Sequence, residues 1–266
     1  MLDKIASPYL LDVRETAAAD AATVAERDDV ATLSVTDDSA AIADKFDVLQ
    51  GIGKKLKSIA LSGDSTTLSL TASQLASGAS TLAKIGSRHS LAVANVSAES
   101  ATRVAANANV SSMAIVDSSS NIASRIASLQ KVVGKIGSIT QSGTAAALQI
   151  TAAQRTANAA VLAKLDDYTL SISQASASDA ATLADDDLVS SFSVTDGSAN
   201  IASHFDALAA AGDKLAGIAQ SGRAAPLSLT LTQYTDNTAT LAKIVNSYNV
   251  ALTGVKASEA TAAAAH

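Results

Sequence analysis

A repeat of about 80 residues runs through this chain, and a period of that length limits the possible folds more than any composition does. Ser34-Val35-Thr36-Asp37-Asp38-Ser39-Ala40-Ala41-Ile42-Ala43 returns as Ala114-Ile115-Val116-Asp117-Ser118-Ser119-Ser120-Asn121-Ile122-Ala123 and as Ser193-Val194-Thr195-Asp196-Gly197-Ser198-Ala199-Asn200-Ile201-Ala202, at offsets of 80 and 79. Leu82-Ala83-Lys84-Ile85 recurs as Leu162-Ala163-Lys164-Leu165 and Leu241-Ala242-Lys243-Ile244, with Lys4-Ile5 as the tail of an earlier copy. Ser62-Gly63, Ser142-Gly143 and Ser221-Gly222 form a third series. Three independent series that keep one spacing mark a partial repeat over 1–30, repeats over 31–110 and 111–189, and an incomplete one over 190–266.

Each unit divides into three segments of about 25 to 29 residues, a strand-like run followed by a helical one. The pairs are Leu33–Thr36 with Asp38–Leu49, Leu68–Thr71 with Ala72–Ile85, and Leu91–Ala94 with Ser97–Ala106. Ile42, Phe46 and Leu49 form an i, i+4, i+7 stripe that returns as Ile122, Ile126, Leu129 and as Ile201, Phe205, Leu208. Val24, Val104, Leu183 and Val30, Val110, Val189 read as ladders of stacked core positions. Short alternating strands and helices favour parallel strands joined by right-handed crossovers. Segments this alike predict an α/β fold, a right-handed β-α solenoid of about ten turns with a parallel sheet, each turn touching only its neighbours. At roughly 4.8 Å between strands such a body is on the order of 50 Å long. A further β-like run, Ser58–Leu61, with Ser138–Gln141 and Gly217–Gln220 as equivalents, is either an extra strand or a corner.

Composition agrees with thin turns. Alanine is about a fifth of the 266 residues and aromatics are 3%, which suits one or two large residues per turn and close backbone approach elsewhere. The absence of cysteine excludes disulfides and thiolate chemistry. A net charge of -6 argues against nucleic acid. The N-terminal Met1-Leu2-Asp3-Lys4-Ile5 lacks the basic and apolar regions of a secretory signal. The uncharged stretch over 137–154 is rich in Gly, Ser, Thr and Gln and does not suit a bilayer. The closing Ala262–His266 has no pattern and reads as a cloning remnant.

Few residues point to chemistry. Asp37, Asp117 and Asp196 are candidate calcium ligands, but calcium takes six to eight oxygens from a tight glycine-containing loop. Helix capping is the expected role of these aspartates. Lys55, Lys135, Lys214 and Lys84, Lys164, Lys243 fall near helix ends, where cations suit the negative terminus. Tyr9, Tyr168 and Tyr248 follow the Lys-Ile or Lys-Leu series at one strand-start position and are candidates for recognition or for closing a sheet edge. Arg88 and His89 form a possible non-repeated site. There is no Gly-x-Ser-x-Gly elbow and no phosphate-cradling loop, so no catalytic residue is assigned and an enzyme is not expected.

Val-Thr-Asp-x-Ser-Ala-x-Ile-Ala-x-x-Phe-Asp-x-Leu, Ile-x-x-Ser-Gly, Leu-x-Leu-Thr-x-x-Gln and Leu-Ala-Lys-Ile together resemble the repeat arrays of very large extracellular bacterial proteins, adhesin-like and haemolysin-type calcium-binding proteins. The resemblance runs from Lys4 to Glu259. It implies export without a classical signal peptide, a secreted or cell-surface location, and no catalytic residues; the haemolysin-type calcium repeats themselves are missing. Two roles compete. One is a non-enzymatic adhesive module presenting a repeated face to a surface or matrix component, a polysaccharide or other copies of the array. The other is an extracellular protein binding one small ligand, metal or cofactor at a non-repeated site. The chain starts and stops inside a unit, which suggests a piece of a longer array.

Overall fold

The computed structural model describes residues 9–223 and 225–256; the Lys4-Ile5 copy, Glu259 and the alanine tail lie outside them. It is a mixed α/β structure whose strands pair in parallel, in sheets of two to four, and it divides into two compact units. The first takes the chain up to Asp117 together with Lys131–Thr140. The second takes Ser118–Gln130 and the chain from Gln141 onward.

In the first unit, β1 (Leu11–Thr16), β2 (Val30–Asp38) and β3 (Leu56–Ser62) form one sheet in that order. β4 (Thr67–Thr71), β5 (Ser90–Val96), β6 (Val110–Asp117) and β7 (Ile136–Gln141) form another. Between them run the short helices α1 (Ala21–Glu26), α2 (Ser39–Asp44), α3 (Phe46–Ile52), α4 (Ala72–Ser77), α5 (Ala79–Leu82) and α6 (Ala101–Ala105). The second unit opens with α7 (Ser119–Gln130). Its four-stranded sheet is β8 (Leu148–Thr151), β9 (Leu170–Ala175), β10 (Val189–Asp196) and β11 (Leu215–Gln220). A two-stranded sheet follows, β12 (Leu227–Thr230) with β13 (Val250–Thr253). Its remaining helices are α8 (Ala152–Ala157), α9 (Ala159–Leu162), α10 (Ala180–Asp185), α11 (Ser198–Ser203), α12 (Phe205–Ala210), α13 (Leu231–Asp236) and α14 (Thr238–Leu241).

The anticipated runs are these elements, and the undecided Ser58–Leu61 run is a strand. β3 lies parallel to β2 with Val35 opposite Ile59, and β11 lies parallel to β10 with Val194 opposite Ile218. The isoleucine has a second partner on its other side: Ile59 bridges Ile85, and Ile218 bridges Ile244. The nine residues of the helical stripe, from Ile42 to Leu208, are all at or below 1% exposure. Val30, Val110 and Val189 are equally buried, opposite Leu11, Leu91 and Leu170 on the neighbouring strands. Val24 is the exception among the predicted ladder positions, being only half-buried.

Several of the predicted helices are interrupted and so shorter than drawn. Lys45 and His204, both in a non-helical conformation, separate α2 from α3 and α11 from α12, just ahead of Phe46 and Phe205. Where the following residue is Ile126, α7 runs unbroken for 12 residues. The break thus accompanies the bulky ring, which drops into the core at 0% exposure. At Gly78, between α4 and α5, an added Cβ would collide with the Phe46 ring.

Three hydrogen-bond devices recur through the chain. Thr71, Thr151 and Thr230 each accept from the N–H of a glutamine three residues on, and the side chains of Gln74, Gln154 and Gln233 reach back to the threonine N–H. These are capping boxes, which satisfy two orphan donors at once. Glycine at the Ser-Gly turn takes a positive φ at Gly63, Gly143 and Gly222. In the strands β1, β5 and β9, Glu15, Asn95 and Gln174 adopt φ of 55°, 55° and 57°, and the pairing register shifts there. A left-handed L-residue costs about 1–2 kcal/mol, so the recurrence implies compensation.

The compensation comes from the aspartates. The bend at these residues brings the N–H of Ala18, Ala98 and Ala177 to the carboxylates of Asp37, Asp117 and Asp196, at 3.0, 2.9 and 2.8 Å. The expected capping is therefore directed mainly at the segment 19 residues upstream. The start of α2 is capped by Asp38, which accepts from the Ala41 N–H at 2.8 Å. For Asp196, burial pushes the carboxyl up, but the N–H groups of Ala177 and Gly197, the Asn200 side chain and His204 outweigh it and hold the group below its ordinary range.

The lysines follow the dipole rule with a change of partner. Five of the six reach a carbonyl of an earlier segment instead of their own helix. Lys55 donates to Ala25 and Arg27, Lys135 to Ala105 and Asn107, and Lys214 to Ala184 and Asp186, at 2.7 to 3.2 Å. Lys84 and Lys243 reach Gly53 and Gly212 at 2.6 Å.

Candidate functional site

The strand register aligns the aromatic candidates. Leu11, Leu91, Leu170 and Val250 occupy corresponding places in β1, β5, β9 and β13. Two residues before them stand Tyr9, His89, Tyr168 and Tyr248. His89, read from sequence as non-repeated, belongs to the tyrosine series. A one-residue difference in spacing after Ile85 and Leu165 hid this, and only the strand pairing resolves it.

His89 and Tyr168 each border a groove between one helix pair and the next helix. In the second unit the groove has a volume of about 610 Å³ and is lined by Ala152, Arg155, Thr156, Ala159, Leu162 and Ala163 from the α8–α9 region, by Tyr168, and by Asp179, Thr182 and Leu183. In the first unit the corresponding space is two hollows of about 390 and 190 Å³. Ala72, Leu75, Ala79, Leu82 and Ala83 line them at places 80 residues before Ala152, Arg155, Ala159, Leu162 and Ala163. His89 lines the larger, and Leu75 and Asn107 line both.

The chemistry of the two grooves differs. In place of Leu75 and Asn107 the second unit has Arg155 and Asp186, which form an ion pair. Burial pushes the Asp186 carboxyl up, while the Leu188 N–H, Arg155 and Lys214 more than compensate and hold it low. Partial burial raises the Tyr168 phenol above its ordinary value, Arg155 opposing and Asp186 adding to the shift. In the first unit, His89 Nε2 lies 3.3 Å from the Asn109 amide and Nδ1 lies 3.1 Å from the Ser87 carbonyl. Arg88 is exposed and is not among the residues lining the groove.

Tyr168 also lines a second hollow of about 400 Å³ with Gln141, Ala145, Ala146, Asp166, Asp167, Thr169 and Leu188. Tyr9 and Tyr248 are half-buried at their strand starts. Asp37, Asp117 and Asp196 are spread one to a repeat and engaged with backbone N–H groups, and among the described residues no group of three or more His, Cys, Asp or Glu is placed to hold a metal. No described helix is long and apolar enough to cross a membrane.

No family model, no curated protein and no solved structure matches the chain.

Proposed function

We propose that this chain is a non-enzymatic structural and adhesive module of a large secreted bacterial surface protein. The fold we propose for its repeats is a right-handed β-α solenoid of about ten turns and about three 80-residue repeats, in which a turn contacts only its neighbours in sequence. The array reaches the cell exterior without a classical signal peptide and presents a repeated face to a surface or matrix component, a polysaccharide or further copies of itself.

The observation that carries this reading is the recurrence of one groove, bordered by an aromatic residue at the same strand register, in both units. A repeated groove suits avidity: several weak contacts along one partner hold it far more tightly than any contact alone. The competing single-site reading has less behind it, since Arg88 is exposed and His89 belongs to the repeated series. Calorimetric titration of the whole chain against a panel of polysaccharides, with sedimentation of the chain alone, tests the proposal. More than one weak site per chain, or self-association, is the expected result; one tight site for a small molecule and no other binding contradicts it.

A further inference from the structure

We infer that the two hollows flanking Tyr168 form an oligosaccharide site that prefers sugars carrying free amino groups. This rests on the adhesive reading above and narrows it to one ligand class at one groove.

Tyr168 lines both the 610 Å³ groove and the 400 Å³ hollow, so one partly buried tyrosine borders two open spaces. A pyranose offers an apolar C–H face edged by hydroxyls, and tyrosine offers the complementary surface, an apolar ring with a polar tip. An ordinary phenol titrates at about 10, so that tip is a neutral hydroxyl donor well below that pH. Thr156 and Thr182 supply further hydroxyls on the groove side, and the Gln141 amide lies on the other. Two hollows of several hundred Å³ that share one tyrosine suit a chain of sugar units better than a single enclosed molecule.

Charge selects among glycans. The cation lining these hollows is Arg155, and it is already paired with Asp186. Asp166 and Asp167 line one hollow and Asp179 lines the other, so the surroundings of Tyr168 are net acidic. An ammonium group at sugar position 2 meets that field, and an acidic polysaccharide opposes it. The hollows of the first unit contain no lining carboxylate, and Arg103 is their charged residue. The preference therefore belongs to the second unit.

The test is calorimetric titration of the intact 266-residue chain with a β-1,4-glucosamine hexamer at about pH 5.5, where carboxylates and the amino sugar are both charged. Its N-acetylated hexamer is the neutral comparator. The amine form binds more tightly, Tyr168→Ala weakens it about tenfold, or about 1.4 kcal/mol, and Tyr168→Phe retains most of the binding. Asp166→Asn with Asp167→Asn removes the preference for the amine and leaves the neutral hexamer unchanged. Thr156→Arg, at an exposed helical position, blocks the groove without touching the ring, so a folding defect at Tyr168 cannot imitate the result. A neutral hexamer that binds as well as the amine, or an amine isotherm unmoved by Tyr168→Ala and Thr156→Arg, overturns the inference. If other polysaccharides still bind at several sites, the adhesive reading survives that outcome; a chain that binds no polysaccharide and no copy of itself overturns both.

Discussion

The sheet β4–β7 of the first unit and the sheet β8–β11 of the second have the same strand order, yet the grooves beside them differ. Their shared features are those that set the backbone. Thr71 and Thr151 carry the same capping box, Asn95 and Gln174 the same left-handed bend, Asp117 and Asp196 the same carboxylate against an alanine N–H. Their differences lie in the groove or pair with its lining: Leu75 against Arg155, His89 against Tyr168, and Asn107 against Asp186, the partner of Arg155. The comparison separates a scaffold, which needs the same residues at corresponding places in both sheets to keep strands in register, from a surface on which side chains vary without disturbing it.

Substitutions should therefore divide by class. The largest loss is expected for Phe205→Ala, which empties a site at 0% exposure and should cost about 3–5 kcal/mol in chemical denaturation. A loss under about 1 kcal/mol would mean that the stripe does not carry the core.

Asp196→Ala comes next, at about 1–3 kcal/mol, because it strands the Ala177 N–H. It also has a pH signature. The native carboxyl lies below its ordinary value, so its contribution is present above the unfolded pKa of about 3.9 and is lost as pH falls through the lower native value. Thermal midpoints followed downward from about pH 5 should fall more steeply in the parent chain than in Asp196→Ala; parallel curves would remove the carboxylate from the account.

Gln174→Gly should act in the opposite direction and stabilise by up to about 1 kcal/mol, since glycine adopts φ of 57° without strain. Destabilisation would show that the side chain, and not the bend, is what the position requires. The smallest effect belongs to the groove: Arg155→Ala should change stability by less than about 0.5 kcal/mol, as expected for a partly exposed ion pair. A larger change would place Arg155 in the scaffold and blur the division.

Much of the scaffold was legible in the sequence, because burial writes itself as periodicity. Ile42, Phe46, Leu49 and their copies were identified from spacing alone, and so were the parallel strands. The Leu-x-Leu-Thr-x-x-Gln phrase also carries a capping box, Thr followed three places later by Gln, which is recognisable from sequence. Contacts between segments were not legible. Nothing local announces that Lys135 will reach Ala105 or that Asp117 will meet Ala98, since those partners are set by stacking. The grooves were the least visible. Arg155 and Asp186 look like an ordinary helical arginine and a linker acid until strand register places them together.

An in-register deletion tests the repeat most directly. Removing the 79 residues from Val110 to Leu188 joins Asn109 to Val189, so that β10 follows β5 in the place of β6. The account predicts a shorter chain with the parent's far-ultraviolet circular dichroism per residue and a single sharp melting transition. A control deletion from Val110 to Gln174, out of register, should give neither. An unfolded in-register chain, or equal tolerance of both deletions, would contradict the claim that these residues form one interchangeable structural unit.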